Sequence, residues 1–275
     1  MKRIGFRVCA AWIWYRGPLA RLRGSGERRT RFFHRLSEVW DLSDNKTAQD
    51  DIERRGRAIR ERIDAALDRS GRARGSATLV GITKGRSAPE IAAAVRAGFG
   101  VLGESRPQEF REKYSMLADL DLAIEWHFVG RLQPNKVKLV VGYCSLVHSV
   151  DDLDLARALS ERSRSMDIVT PVLVQVNASG EKSKSGVAPE DAPDLIESIA
   201  GMDGLAAKGL MTMAPDAEDP EEVRPVFAAT ADLARTVEAK LGLPLPELSM
   251  GMTGDFEVAV EEGATLVRVG RALFE

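Results

Sequence analysis

From residue 48 onward the apolar positions fall into two alternating periods. Ile52, Ile59, Ile63, Ala66 and Leu67 make one stripe among many charged residues across 48–69, which predicts an amphipathic helix ended by Ser70-Gly71. Short runs rich in Val, Ile, Leu and Thr then recur at 77–83, 100–105, 124–130, 146–150, 171–177, 206–213, 247–251 and 266–270. Such runs, bounded by turn residues, read as buried strands. Between them, Ala/Leu/Glu/Arg-rich stretches at 88–97, 107–117, 153–165, 189–200, 221–241 and 255–261 predict helices, and 133–141 a shorter one. Ser87 and Glu90 stand at capping-box spacing before the first of these. Strict alternation implies parallel strands joined by right-handed crossovers, and eight such units close into an α/β fold, the (β/α)8 TIM barrel, preceded here by a helix. An open doubly wound sheet fits less well, because the strands are evenly spaced and no Gly-x-Gly-x-x-Gly follows the first.

Composition changes this picture at one end only. With 44% hydrophobic and 29% charged residues and a formal net charge of −2, the chain is that of a globular protein, and nucleic-acid binding is not expected. Residues 1–48 differ: eleven Lys/Arg stand against four Asp/Glu, with Trp12, Trp14 and Trp40. This segment is expected to be a poorly ordered basic extension outside a barrel domain of 49–275. A signal peptide, transit segment or membrane-surface helix are weaker matches, since Arg7 interrupts the apolar run. Cys9 and Cys144 lie far apart without metal-ligand spacing, so no metal site is expected and a reducing, cytoplasmic location is. No apolar stretch is long enough for a stable membrane span.

In a barrel of this kind the strand C-termini carry the site. Lys84 ends the first strand, and Ser105 follows the second at capping-box spacing from Gln108. Ser249 and Thr253 bracket a Gly-containing loop after the seventh, and Arg268-Val-Gly270 ends the eighth. Loops after strands seven and eight commonly hold phosphate in this fold, with backbone N–H groups, hydroxyls and a cation as donors. A phosphate cradle facing an amine suggests a phosphorylated aldehyde, pyridoxal 5′-phosphate (PLP), held as an imine on Lys84. That requires the amine to be partly neutral, as desolvation inside a barrel favours. A sugar-phosphate lyase or isomerase uses the same lysine, but the acid cluster expected beside it is missing. Lys182 and Lys184, after the fifth strand, are further amines on the same face.

The segments Leu79-Val-Gly-Ile-Thr-Lys84, Phe99-Gly-Val-Leu-Gly-Glu-Ser-Arg-Pro-Gln-Glu109, Trp126-His-Phe-Val-Gly-Arg-Leu-Gln-Pro-Asn-Lys136, Val147-His-Ser149, Ser249-Met-Gly-Met252 and Val267-Arg-Val-Gly270 together resemble the pyridoxal phosphate homeostasis proteins, the YggS/PROSC family. The resemblance runs in order from about residue 50 to the end. It implies a barrel like the N-terminal domain of alanine racemase and PLP bound as an imine on Lys84. It places the phosphate on Ser249, Thr253, Arg268 and Gly270, and the cofactor ring near Ser105. It also implies a protein that buffers and delivers the cofactor to PLP-dependent apo-enzymes without turnover, and so no catalytic residue; a monomer is expected. Departures from the family pattern are Ser105 for Asn, Arg131 for Pro, Pro134 for Ser and Thr253 for Ser. Ser105 is still expected to cap the following helix. A PLP-dependent amino-acid racemase is the alternative, but it needs a second acid/base group, and neither Tyr114 nor Tyr143 stands at a strand end.

Overall fold

Eight parallel strands close in sequence order, with the last pairing to the first, in the computed structural model, which describes residues 42–118, 120–181 and 185–275, with side chains from Lys46 onward. The strands are β1 (Thr78–Ile82), β2 (Val101–Glu104), β3 (Glu125–Phe128), β4 (Leu146–Val150), β5 (Thr170–Gln175), β6 (Leu205–Met211), β7 (Glu247–Ser249) and β8 (Leu266–Val269). Helices α1 (Leu42–Arg69), α2 (Ala88–Arg96), α3 (Pro107–Leu117), α4 (Leu153–Arg164), α5 (Ala192–Ala200), α6 (Arg224–Leu241), α7 (Phe256–Glu261) and α8 (Arg271–Phe274) surround them. The expected alternation is met strand for strand, and the architecture is the (β/α)8 barrel.

Two boundaries depart from expectation. Helix α1 begins at Leu42, so residues 42–48, assigned by composition to the extension, include its first turns. Those turns are mostly polar, which hides them from a reading of apolar spacing. Residues 1–41 lie outside the described residues. The segment 133–141 forms a 3-10 turn over Pro134–Leu139 rather than an α-helix, with Pro134 in its first turn, where a missing N–H costs nothing.

The core has two layers. Outside the sheet, the predicted α1 stripe of Ile52, Ile59, Ile63, Ala66 and Leu67 is buried in one cluster with Phe99, Phe227 and Phe256. Inside it, Val80, Leu146, Leu173, Met211 and Leu266 fill the middle of the barrel. Because strand side chains alternate, each strand aims every second residue inward. Along β1 this period takes Thr78 to the lower mouth, Val80 and Ile82 to the apolar middle, and Lys84 to the upper mouth. Along β3 it takes Glu125 and His127 to the lower mouth and Val129 to the upper.

Candidate functional site

Lys84 sits in a short turn whose backbone is fixed on both sides. Ahead of it, buried Thr83 donates its N–H to Gly103 O at 2.9 Å and its hydroxyl to Glu104 Oε2 at 3.0 Å. Thr83 O accepts from Arg86 N at 2.8 Å and from Lys113 Nζ at 2.7 Å. Behind it, Gly85 has φ of 72°, a left-handed value that suits glycine, and its N–H donates to Glu109 Oε2 at 3.4 Å. Lys113 Nζ also meets Glu104 Oε2 at 2.5 Å and Glu109 Oε2 at 3.2 Å. Hydrogen bonding to Arg106, then to Lys113 and the Gly85 N–H, outweighs partial burial and holds the Glu109 carboxyl down at about 2. The next helix starts with the predicted capping box: Glu90 N donates to Ser87 Oγ at 3.5 Å, and Ser87 N donates to Glu90 Oε2 at 2.8 Å.

Lys84 lines a cavity of about 590 Å³ at the C-terminal mouth of the barrel. Ser105, Thr253, Arg268 and Gly270 line the same cavity, so it brings together five of the six expected residues. The sixth does not reach it. Ser249 is fully buried beneath Arg268, whose Nη1 donates to its Oγ at 2.7 Å. Lys84 is exposed, so the burial expected around its amine is absent. Ser105 does not cap α3 either. Pro107 takes the first helical turn and makes Arg106 the N-cap, which has no side-chain bond. Ser105 is instead held through its backbone: its N–H donates to Glu104 Oε1 at 2.6 Å, and a Cβ on Gly130 would stand 1.9 Å from its carbonyl oxygen. Arg131 and Pro134 do not line this cavity, and Lys182 and Lys184 lie outside the described residues.

Four cationic residues, Lys84, Arg86, Arg268 and Arg271, and two acidic ones, Asp216 and Asp255, line this space. Arg86 is committed to Glu90 and Glu275. Burial lowers Arg268 to about 10, which leaves it charged at neutral pH, and burial raises the Asp255 carboxyl against the pull of Met252 N–H and Arg268. Gly254 and Gly270 put bare backbone on the wall beside the exposed Thr253 hydroxyl, and nothing lies within 4 Å of where a Gly254 Cβ would project. The donor set therefore fits a ligand that carries an anion of phosphate type and a carbonyl able to meet a primary amine. The volume lies within the range of roughly 300–1,000 Å³ usual for small-molecule sites.

Sequence reasoning missed part of the wall. Pro215, Asp216 and Ala217, after β6, line the cavity but carry no spacing signature. The Glu104–Lys113 pair is visible only in three dimensions. His127 and His148 lie within the quoted motifs with no role that spacing reveals, although inward alternation of β3 and β4 brings His148 Nε2 to 3.0 Å of His127 Nδ1.

The chain matches the family model of the alanine racemase N-terminal domain over residues 56–275. It is 45% identical over 216 residues to the pyridoxal phosphate homeostasis protein of Aquifex aeolicus, covering 78% of this chain and 94% of that one. The protein of the same name from Escherichia coli is 34% identical over 218 residues, covering 78% and 92%. Among solved structures, that of PipY from Synechococcus elongatus with PLP bound aligns at a TM-score of 0.71 and 30% identity, over 82% of this chain and all of that one. Alanine racemase from Corynebacterium glutamicum, at a TM-score of 0.61 and 16% identity over 82% of this chain and 60% of that one, shares the barrel fold. On motif order, fold and these relatives together, the chain belongs to the pyridoxal phosphate homeostasis protein family.

Proposed function

We propose that the chain binds PLP in the upper cavity as an imine on Lys84 and serves vitamin B6 homeostasis by holding and delivering that cofactor. The observation that carries this reading is that Lys84, Thr253, Arg268 and Gly270 line one cavity. When bound, PLP supplies an aldehyde that takes a primary amine. The residues of the chain do the rest. Thr253, Gly270 and the loop backbone at Gly254 receive the phosphate. Arg268, charged and anchored from below, sets the floor of the cavity. Ser105 lies beside the ring position, with its backbone fixed by Glu104. The clamp of Glu104, Lys113 and Glu109 on Thr83 and Gly85 aims the Lys84 amine across the cavity. Ser249 acts through Arg268 and does not touch the ligand.

Racemisation is the weaker reading, because it needs a second acid/base group opposite the lysine. No tyrosine, histidine or cysteine lines the upper cavity among the described residues, and of its two carboxylates Asp255 is engaged by Met252 N–H, which leaves Asp216 as the acid/base candidate a racemase would have to use. Tyr114 and Tyr143 stack on each other with ring centroids 5.1 Å apart, and neither lines it. A monomeric, cytoplasmic carrier with PLP-dependent apo-enzymes as recipients completes the proposal; no described helix is long and apolar enough to cross a membrane. The test is to mix PLP-loaded chain with an apo-aminotransferase and, separately, with L-alanine. The expected result is recovery of aminotransferase activity with no D-alanine formed. Steady D-alanine production would replace the carrier reading with a racemase, and a loaded chain that never reactivates the apo-enzyme would sink delivery.

A further inference from the structure

Below Arg268 the barrel holds a polar column that the cofactor reading leaves without a role. Arg268 Nη1 donates to Ser249 Oγ at 2.7 Å, and Nη2 donates to Thr212 O at 2.9 Å. Ser249 Oγ lies 2.8 Å from His148 Nδ1, and His148 Nε2 lies 3.0 Å from His127 Nδ1. His127 Nε2 lies 3.2 Å from Glu125 Oε1. Ser249 and His148 are fully buried and His127 nearly so, whereas the Glu125 side chain is 52% exposed. At that end the column opens into a second cavity, of about 600 Å³, at the N-terminal mouth of the barrel. Hydrogen-bonded side chains thus connect the two mouths.

The direction of every bond follows from its neighbours. A carboxylate only accepts, so a neutral His127 donates from Nε2 to Glu125 and accepts at Nδ1; His148 Nδ1 is then left to accept, and Ser249, whose oxygen also accepts from Arg268, donates its hydrogen there. A neutral His148 then carries its proton on Nε2 and donates to His127 Nδ1. His127 carries its proton on Nε2 and donates to the Glu125 carboxylate. Every group is satisfied with both imidazoles neutral. Burial, then the neighbouring His127 and Arg268, push His148 well below the usual imidazole range, in agreement with that state. A proton added to His127 Nδ1 sets two N–H donors against each other. Either that contact breaks, or His148 moves its single proton from Nε2 to Nδ1 and turns its bond to Ser249 around. Ser249 Oγ then faces two donors, His148 Nδ1–H and the Arg268 guanidinium, with its own hydrogen turned away, so the charge-assisted bond that anchors Arg268 is shared and weakened. One proton is taken up in all, at His127.

We propose that His148 and His127 are positioning residues for the cofactor cavity, holding Arg268 in place through Ser249 while both rings are neutral and loosening that anchor when a proton enters from the lower mouth. This rests on the PLP-binding reading of the upper cavity. The groups that bear on His127 are Glu125 of its own strand, His148 of β4, Lys208 of β6 and Glu247 of β7, with Arg268 of β8 acting from above through His148. Glu125 and Glu247 bring negative charge to this mouth and Lys208 positive charge. The remaining strands bring no titratable side chain to this mouth among the described residues.

Two measurements test it. In the ligand-free chain at pH 8, imidazole ¹⁵N spectra are expected to show the Nε2–H tautomer at both His127 and His148; an Nδ1–H tautomer at His148 overturns the assigned direction. The second uses pyridoxine 5′-phosphate, which has no aldehyde and so cannot attach to Lys84. Its affinity is measured by calorimetry at pH 8 and pH 6 for the native chain and for His127→Asn, whose amide oxygen accepts from His148 but takes up no proton. Titration of the ligand phosphate near pH ~6 is common to both chains. The native chain is expected to lose about tenfold more affinity than His127→Asn on acidification, the size of one charge-assisted hydrogen bond. Equal losses overturn the inference and leave the cofactor reading intact. Binding by neither chain at pH 8 defeats the cofactor reading instead, and the tautomer spectra still decide the column.

Discussion

Lys113→Ala is expected to cost about 3–5 kcal/mol of folding stability, because removing one partner of a buried ion pair leaves the other charge without compensation. The Lys113 side chain is 9% exposed and that of Glu104 is fully buried. Without Lys113, Glu104 keeps the hydroxyls of Thr83 and Ser105, the latter at 3.5 Å, and the N–H groups of Ser105 and Arg106, none of them charged. Thr83 O loses one of its two donors at the residue before Lys84. The loss should therefore appear twice, as a lower urea midpoint and as weaker PLP binding. The double variant Glu104→Gln with Lys113→Met removes both charges together and is expected to recover part of the stability, since neutral replacement of a buried pair is often tolerated. A Lys113→Ala chain within about 1 kcal/mol of native would show that the pair behaves like an exposed one.

Lys84→Ala is expected to abolish the violet-absorbing imine band while leaving PLP bound non-covalently. Thr253, Arg268 and the Gly254–Gly270 side of the cavity are untouched by the change, so equilibrium dialysis should still detect cofactor, displaceable by inorganic phosphate. A covalent adduct surviving in this variant would move the attachment to another amine, and Lys182 and Lys184 would be the first to examine.

Much of this was legible because the barrel repeats one physical rule eight times. Runs such as Leu79-Val-Gly-Ile82 can only be buried strands when Gly and polar residues bound them, and α1 shows its buried side in Ile52, Ile59, Ile63, Ala66 and Leu67. Once strand ends are known, period two carries Lys84, Ser105, Arg268 and Gly270 to the upper mouth, and their meeting there follows from topology. Ser249 shows where that reasoning stops. A hydroxyl at a strand end looks the same in sequence whether it faces a ligand or the guanidinium of the next strand. Ser105 failed as a cap for a reason the sequence did contain. Pro107 prefers the first helical position and so moves the cap to Arg106. Asp216 and the Glu104–Lys113 pair have no local signature, because their partners come from other elements.

The central claim is that Lys84 carries the cofactor in the upper cavity. Its most direct test is an absorption spectrum of the native chain with added PLP, followed by borohydride reduction and peptide mapping by mass spectrometry. The account predicts a violet-absorbing species that reduction fixes on the peptide containing Lys84 and on no other. A spectrum of free PLP unchanged by the protein, or a label fixed elsewhere with Lys84 unmodified, would contradict it.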